Sequence, residues 1–273
     1  MCNYVHHCRT PVSYDMISAF LGEDLHFETI YRLLEQLAGM ITDYKGTLAD
    51  TPQDHFRSRS NILAEAIVYQ ANSHSLREML LRFHNNVSPF RISRFDVFRR
   101  RAFDADLFRR AFPQWQDGRD FYDELYNRDY SPFLLQQGAL YISRKRQFKE
   151  AFQWIDKAIT VAPRVFSIRN SHAIILFNAN IVQDFTDANV KNTLQQSMEI
   201  LKDCYNKDRR RTYHALTFSN QSIQYWDAYA DKQALDYLKT AVAWLGQERK
   251  TSPWNRNVRR LHEILQRKYR NVQ

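Results

Sequence analysis

The sequence predicts an all-α protein of stacked helical hairpins, preceded by a small helical module that carries a β-hairpin. Three observations carry this prediction. Glycine is scarce, at six in 273 residues, while Phe, Trp and Tyr supply 14%, a composition for helices packed through large side chains. The stretch 132–163, PFLLQQGALYISRKRQFKEAFQWIDKAITVAP, puts small residues at Gly138, Ala151 and Ala158, large ones at Leu134, Tyr141, Phe148 and Ile155, and closes at Pro163. Small residues let two antiparallel helices approach, bulky ones fill the groove between them, and proline stops the second helix. The same rhythm returns at Ala234, Leu238, Ala241 and Leu245, closed by Pro253.

The N-terminal part has a different texture. Pro11 and Ser13 open a short helix over Tyr14–Leu21, and Leu25–Leu37 forms a second with Ile30, Leu33, Leu34 and Leu37 on one face. An apolar strand follows at Met40–Ile41, with a turn at Lys45–Gly46 and a return toward Phe56. A helix over Asn61–Gln70 then carries Ile62, Leu63, Ala66, Ile67 and Tyr69. Helix, helix, two-stranded hairpin and helix is the order of a winged-helix-like module, predicted for residues 1–72.

Residues 73–128 read as an irregular helical linker. Leu76, Met79, Leu80 and Phe83 give one amphipathic helix, interrupted around Val87–Pro89. Phe95, Phe98, Phe103, Leu107, Phe108 and Phe112 then alternate with arginines up to Arg110, and Pro113 and Gly118 break the pattern. A stacking surface for nucleic acid would use such aromatics, but at helical spacing the phenylalanines predict core and the arginines a solvated face.

Residues 129–273 predict a tetratricopeptide-like repeat domain. After the first hairpin, helices are expected over Ile168–Phe177 and Val190–Tyr205, then over Thr212–Tyr229 and through Ala234–Leu245. Trp254, Val258, Leu261, Leu265 and Tyr269 mark a capping helix. A hairpin of this kind cannot bury its apolar face alone, so the repeats must stack. The expected partner site is the groove of the first helices, with Asn170, Asn178, Gln221 and Tyr225 as exposed contacts.

Charge is unevenly spread. Residues 1–90 hold 7 basic and 10 acidic residues, whereas residues 91–273 hold 32 and 20. The excess gathers in Lys207–Arg211 and Arg249–Arg270. If nucleic acid were the partner, Arg209, Arg210, Arg211, Arg259 and Arg260 would dominate its binding. No apolar run approaches membrane-spanning length, the first residues lack the apolar stretch of a signal peptide, and three cysteines do not make a disulfide framework. A cytoplasmic protein without a membrane partner is expected.

The segments PVSYDMISAFLG (11–22), HFRSRSNILAEAIV (55–68), the unit at 132–163 and RVFSIRNSHAIILFNA (164–179) together resemble the C-terminal half of bacterial STAND-type NTPases of anti-phage defence. In that family a winged-helix-like module carries an R-S-R-H-x-x-I-A-E stretch, followed by a helical-repeat sensor. Here the stretch is Arg57-Ser58-Arg59-Ser60-Asn61-Ile62-Leu63-Ala64-Glu65, with Ser60 where histidine is usual. The resemblance implies that Arg57, Arg59 and Glu65 couple the sensor to a neighbouring ATPase domain. It also implies either a C-terminal piece of a longer NTPase or an adaptor acting beside one.

Chemistry finds little support. The chain has no G-x-x-x-x-G-K-[ST] phosphate loop. Cys2, His6, His7 and Cys8 crowd into seven residues at a terminus expected to fray, which does not suit two ligand pairs on separate segments. The pairs Arg209/His214 and Arg256/His262 resemble the Arg…His pair of HEPN-type ribonucleases, yet such spacings arise by chance in an Arg-rich chain. Neither metal, cofactor nor catalytic residue is expected. The sequence thus predicts a non-catalytic sensor or adaptor for a protein ligand or NTPase partner, with self-association left open and nucleic-acid binding as the alternative.

Overall fold

Short side chains that cap helix N-termini set the start of seven of the described helices. In the computed structural model, which describes residues 1–22, 27–48, 51–183 and 186–271, Ser13 Oγ accepts from the Met16 N–H at 3.3 Å and Ser60 Oγ from the Leu63 N–H at 3.3 Å. These bonds start α2 (Tyr14–Leu21) and α4 (Asn61–Gln70), the helices expected there, by satisfying N–H groups that lack a partner in the first turn. Helix makes up 75% of the described residues. Among the described residues the only sheet has three strands, so the fold is all-α with a small N-terminal module.

That module begins with α1 (Cys2–His7) and β1 (Val12–Ser13), neither of which the sequence announced. After α2 come α3 (Phe27–Gln36), β2 (Ile41–Leu48), β3 (Thr51–Ser58) and α4; Leu25, the expected start of α3, lies outside the described residues. The strands are antiparallel in the order β1-β3-β2, with Val12 and Asp43 on either side of Phe56. A hairpin turn at Lys45–Gly46 is overturned. Both residues lie inside β2, opposite Asp54 and Gln53, where Lys45 pairs with the Asp54 carboxylate. Gly46 is needed for space, because a Cβ there would stand 2.6 Å from His55 Nδ1.

A frayed terminus is likewise corrected. Tyr4 and Val5 are buried, and the Tyr4 hydroxyl meets His84 Nε2 at 2.9 Å and the Ala102 carbonyl at 3.3 Å. The Tyr4 ring sits edge-on to Phe83 and Phe98. These contacts tie α1 to α5 (Ser73–Asn86) and α6 (Phe95–Ala102). The helix α7 (Ala105–Ala111) follows, and Phe98, Phe103, Phe108 and Phe112 are all buried, as the core reading requires. Gly118 does not break the chain there; it is buried within α8 (Trp115–Asp129).

The chain forms two compact units, Met1–Asp120 and Phe121–Gln273. The second contains three helical hairpins and a last helix. They are α9 (Pro132–Arg144) with α10 (Phe148–Val161), α11 (Phe166–Asn180) with α12 (Ala188–Lys207), and α13 (Arg211–Tyr229) with α14 (Lys232–Thr251), closed by α15 (Arg256–Arg270). Trp254, expected on the capping helix, precedes it and is 87% exposed. The first helices run parallel. Gln136 on α9 bonds Ser167 and Ser171 on α11, and Asn170 and Ala173 on α11 meet Thr217 and Gln221 on α13 at nearly constant offset. Among the second helices, Tyr205 on α12 stacks on Trp244 of α14 with ring centres 3.8 Å apart. The core of the two later hairpins and α15 is continuous, from Phe177 and Leu194 through Phe218 and Leu238 to Leu265. Among the described residues no helix is long and apolar enough to cross a membrane.

Gly138 shows why the small–large rhythm matters. A Cβ at this position would meet the Trp154 ring at 2.5 Å and Tyr122 Cβ at 3.4 Å. Alanine normally gains about 1 kcal/mol over glycine inside a helix, while overpacking costs about 1–3 kcal/mol. Gly138→Ala is therefore expected to lower the melting temperature, and in a Trp154→Ala background the same change should raise it. Stabilisation by Gly138→Ala alone would show that α9 and α10 do not pack through this contact.

Candidate functional site

Three of the four expected contacts for a protein ligand lie inside the array rather than on it. Asn170 and Tyr225 are fully buried and Gln221 is 4% exposed; Asn178 is half-buried. They fail as exposed contacts because α11 and α13 are covered on more than one side, and each side chain is consumed by a neighbouring helix. Asn170 Nδ2 donates to Thr217 Oγ1 at 3.2 Å, and Thr217 Oγ1 donates to the Tyr213 carbonyl at 3.1 Å. This leaves Asn170 Oδ1 facing His214 Nδ1 at 2.8 Å, with Asp208 Oδ2 at 2.9 Å from Nε2. Gln221 Oε1 accepts from Ser197 Oγ at 2.9 Å, and Tyr225 OH accepts from Gln195 Nε2 at 3.3 Å. His214, weighed as half of an Arg…His pair, is thus a buried structural histidine.

Asp208 is the open end of this chain of bonds. Burial would push its carboxyl up, but the Arg210 backbone N–H and His214 outweigh burial and hold it below the ordinary value. A depressed folded-state value stabilises the fold above the unfolded value and is lost as acid titrates the group. Asp208 accordingly contributes near neutrality and stops doing so in acid, below the ordinary carboxylate range.

The expected nucleic-acid contacts gather where four helix ends meet. Thr212 Oγ1 donates to Glu248 Oε2 at 2.5 Å, and Tyr205 OH reaches Glu248 Oε1 at 3.4 Å. The end of α12 and the start of α13 therefore adjoin the end of α14, and α15 begins five residues later, capped by Asn255. Arg209, Arg210 and Arg211 stand on the α12–α13 connection, and Arg259 and Arg260 on the first turns of α15; all five are exposed. Arg211 lies over the Tyr205 ring, 5.6 Å from its centre. The sequence marks Arg249–Arg270 as basic and offers His262 in an Arg…His pair, but it does not show that Arg249 and Lys250 on α14 and His262 and Gln266 on α15 line one groove. Their spacing within each helix is unremarkable, and only the pairing of α14 with α15 brings them together.

In the first unit Arg57 and Arg59 are exposed, with Arg57 over the Tyr44 ring at 5.7 Å. Glu65 is drawn toward Arg9, at 4.0 Å, and not toward either arginine. The Arg59 N–H bonds the Met40 carbonyl at 3.0 Å, which places Arg59 beside an apolar face. Leu33, Met40 and Ile67 on that face are 38–46% exposed, and a cavity of about 420 Å³ opens between Leu33, Leu37, Met40, Ile67 and Phe20; Ile62 and Leu63, on the helix of Ile67, are also exposed.

Cys8 is buried while His6 turns to Asn61 Oδ1 at 2.5 Å, so the four N-terminal residues do not converge. Among the described residues no group of three or more His, Cys, Asp or Glu is placed to hold a metal. Burial pushes all three thiols up, Cys204 to about 11, which makes them poor nucleophiles. Comparison of the chain with protein-family models, curated proteins and solved structures gives no match.

The buried amide and the half-buried one separate structure from surface. Asn170→Ala removes the partner of His214 Nδ1 and the donor to Thr217 Oγ1 and is expected to cost about 1–3 kcal/mol in denaturant unfolding. Asn178→Ala should cost less than about 0.5 kcal/mol. Equal costs would show that Asn170 is not the bridge between α11 and α13.

Proposed function

We propose that the chain is a non-catalytic recognition module in which the helical array holds a protein ligand. The N-terminal module passes that state to an NTPase, either as the sensor portion of a STAND-type protein or as an adaptor beside one. One observation carries this reading: the apolar face of the first unit. Leu33, Met40 and Ile67 are left partly to solvent around one cavity, with Arg59 bonded to the Met40 carbonyl and Glu65 on the same helix as Ile67. A contiguous apolar face rimmed by charge is what a protein contact needs, because burying it supplies the driving force and the rim supplies orientation. Arginine suits the rim, since its planar fork holds a carboxylate in a fixed direction. The ligand's contacts on the array are sought among the exposed residues of α13, such as Tyr213, Asn220 and Gln224, now that Gln221 and Tyr225 are committed to the core.

Nucleic-acid binding is a second reading, favoured by the gathering of Arg209, Arg210, Arg211, Arg259 and Arg260 around the α12–α15 ends. DNA and RNA titrations at two salt concentrations separate the two, using wild type and a variant with those five arginines neutralised. The protein reading expects weak binding that neutralisation barely changes. Tight binding that falls steeply with salt through counterion release, and that disappears in the variant, would replace it with the nucleic-acid reading.

A further inference from the structure

The groove between α14 and α15 has the composition of an anion site. It measures about 740 Å³ and is lined by Arg249, Lys250, Gln247, His262 and Gln266, with Gly246 in its wall. His262 is 6% exposed, its ring is held against the Val242 backbone, and its Nε2 lies beside Gly246. Gly246 keeps the space over the ring open, since even a Cβ there would touch Nε2 at 3.6 Å. Arg249 and Lys250 are exposed, and among the described residues neither pairs with a carboxylate. Burial and the neighbouring Arg249 hold the imidazole below its ordinary value, against the opposing pull of Glu263. Two permanent cations, an imidazole and two amides converge on one groove.

We propose that this groove binds a phosphate monoester. Charge selects the ligand: two fixed positive charges match a dianion, whereas a carboxylate or a phosphodiester brings a single negative charge per group. Geometry agrees, because the arginine fork takes two phosphate oxygens, the ammonium acts as a point charge on a third, and the amides and ring supply further hydrogen bonds. The monoester can belong to a small molecule or to a phosphorylated side chain of a protein ligand. The site stands apart from the reading above, since it uses neither the apolar face of the first unit nor the exposed face of α13.

Calorimetric titration of the full chain tests it, with inorganic phosphate, a phosphoserine peptide, its unphosphorylated form, and an oligonucleotide lacking terminal phosphates. Binding of inorganic phosphate and of the phosphopeptide, with none of the plain peptide, is the expected result. Preference for inorganic phosphate indicates a small-molecule source, and preference for the phosphopeptide a protein source. The surface variant Arg249→Ala/Lys250→Ala should weaken binding at least about tenfold, and His262→Gln should weaken it with the circular dichroism spectrum unchanged. Arg146→Ala/Lys149→Ala, on the first hairpin, should alter it by less than about twofold, because salt screens charges beyond the site. Absence of binding, an equal loss in both double variants, or tighter binding of the oligonucleotide than of either monoester would overturn the proposal.

Discussion

The array depends on a line of polar contacts through its first helices. Gln136 reaches from α9 to Ser167 and Ser171 on α11; Asn170 and Ala173 on α11 reach Thr217, His214 and Gln221 on α13. Apolar faces favour contact but permit sliding, since burial is proportional to area and has no direction. A buried amide or imidazole is different, because its partner must stand at one distance and angle or the desolvation cost is unrecovered. Each hairpin is therefore held at one register against the next, and that register places the ends of α12, α13, α14 and α15 together.

The basic cluster follows from this constraint. Asp208 caps the line of bonds at His214, and Glu248 takes the Thr212 hydroxyl, so both acids at this end are engaged inward. The arginines around them are left outward. An uneven charge distribution in the sequence thus becomes a positive surface because the acids are spent on packing. On the first unit the physics runs the other way: aromatic contacts from Tyr4 to Phe83 and Phe98 close part of the module, while Leu33 and Met40 at another cavity are left partly uncovered.

The parts of this fold legible in the sequence are those governed by local chemistry. Tyr14–Leu21 and Asn61–Gln70 were readable to the residue, because Ser13 and Ser60 are caps and the apolar spacing is helical. The hairpins were readable because small residues at Gly138, Ala158 and Ala241 recur at interhelix contacts. Gly46 misled because glycine usually marks a turn, whereas here it makes room for His55 across the strand pair. Asn170 and Gln221 misled more deeply. Polar side chains on a helix normally face water, and their burial is decided by helices distant in sequence. A signal did exist: α11 spreads Ile168, Ala173, Ile175 and Phe177 around its circumference, the pattern of a helix covered on several sides. The groove lined by Arg249 and His262 had no such signal, since it is made by the packing of α15 on α14.

A double-mutant cycle on Asn170 and His214 tests the central claim most directly. If the buried polar line sets the register between α11 and α13, then Asn170→Ala, His214→Ala and the double variant, unfolded in denaturant, should show a coupling of about 1 kcal/mol or more, as residues in one buried network do. Costs that add to within about 0.3 kcal/mol, the behaviour of independent sites, would show that apolar packing alone fixes the array and would contradict this account.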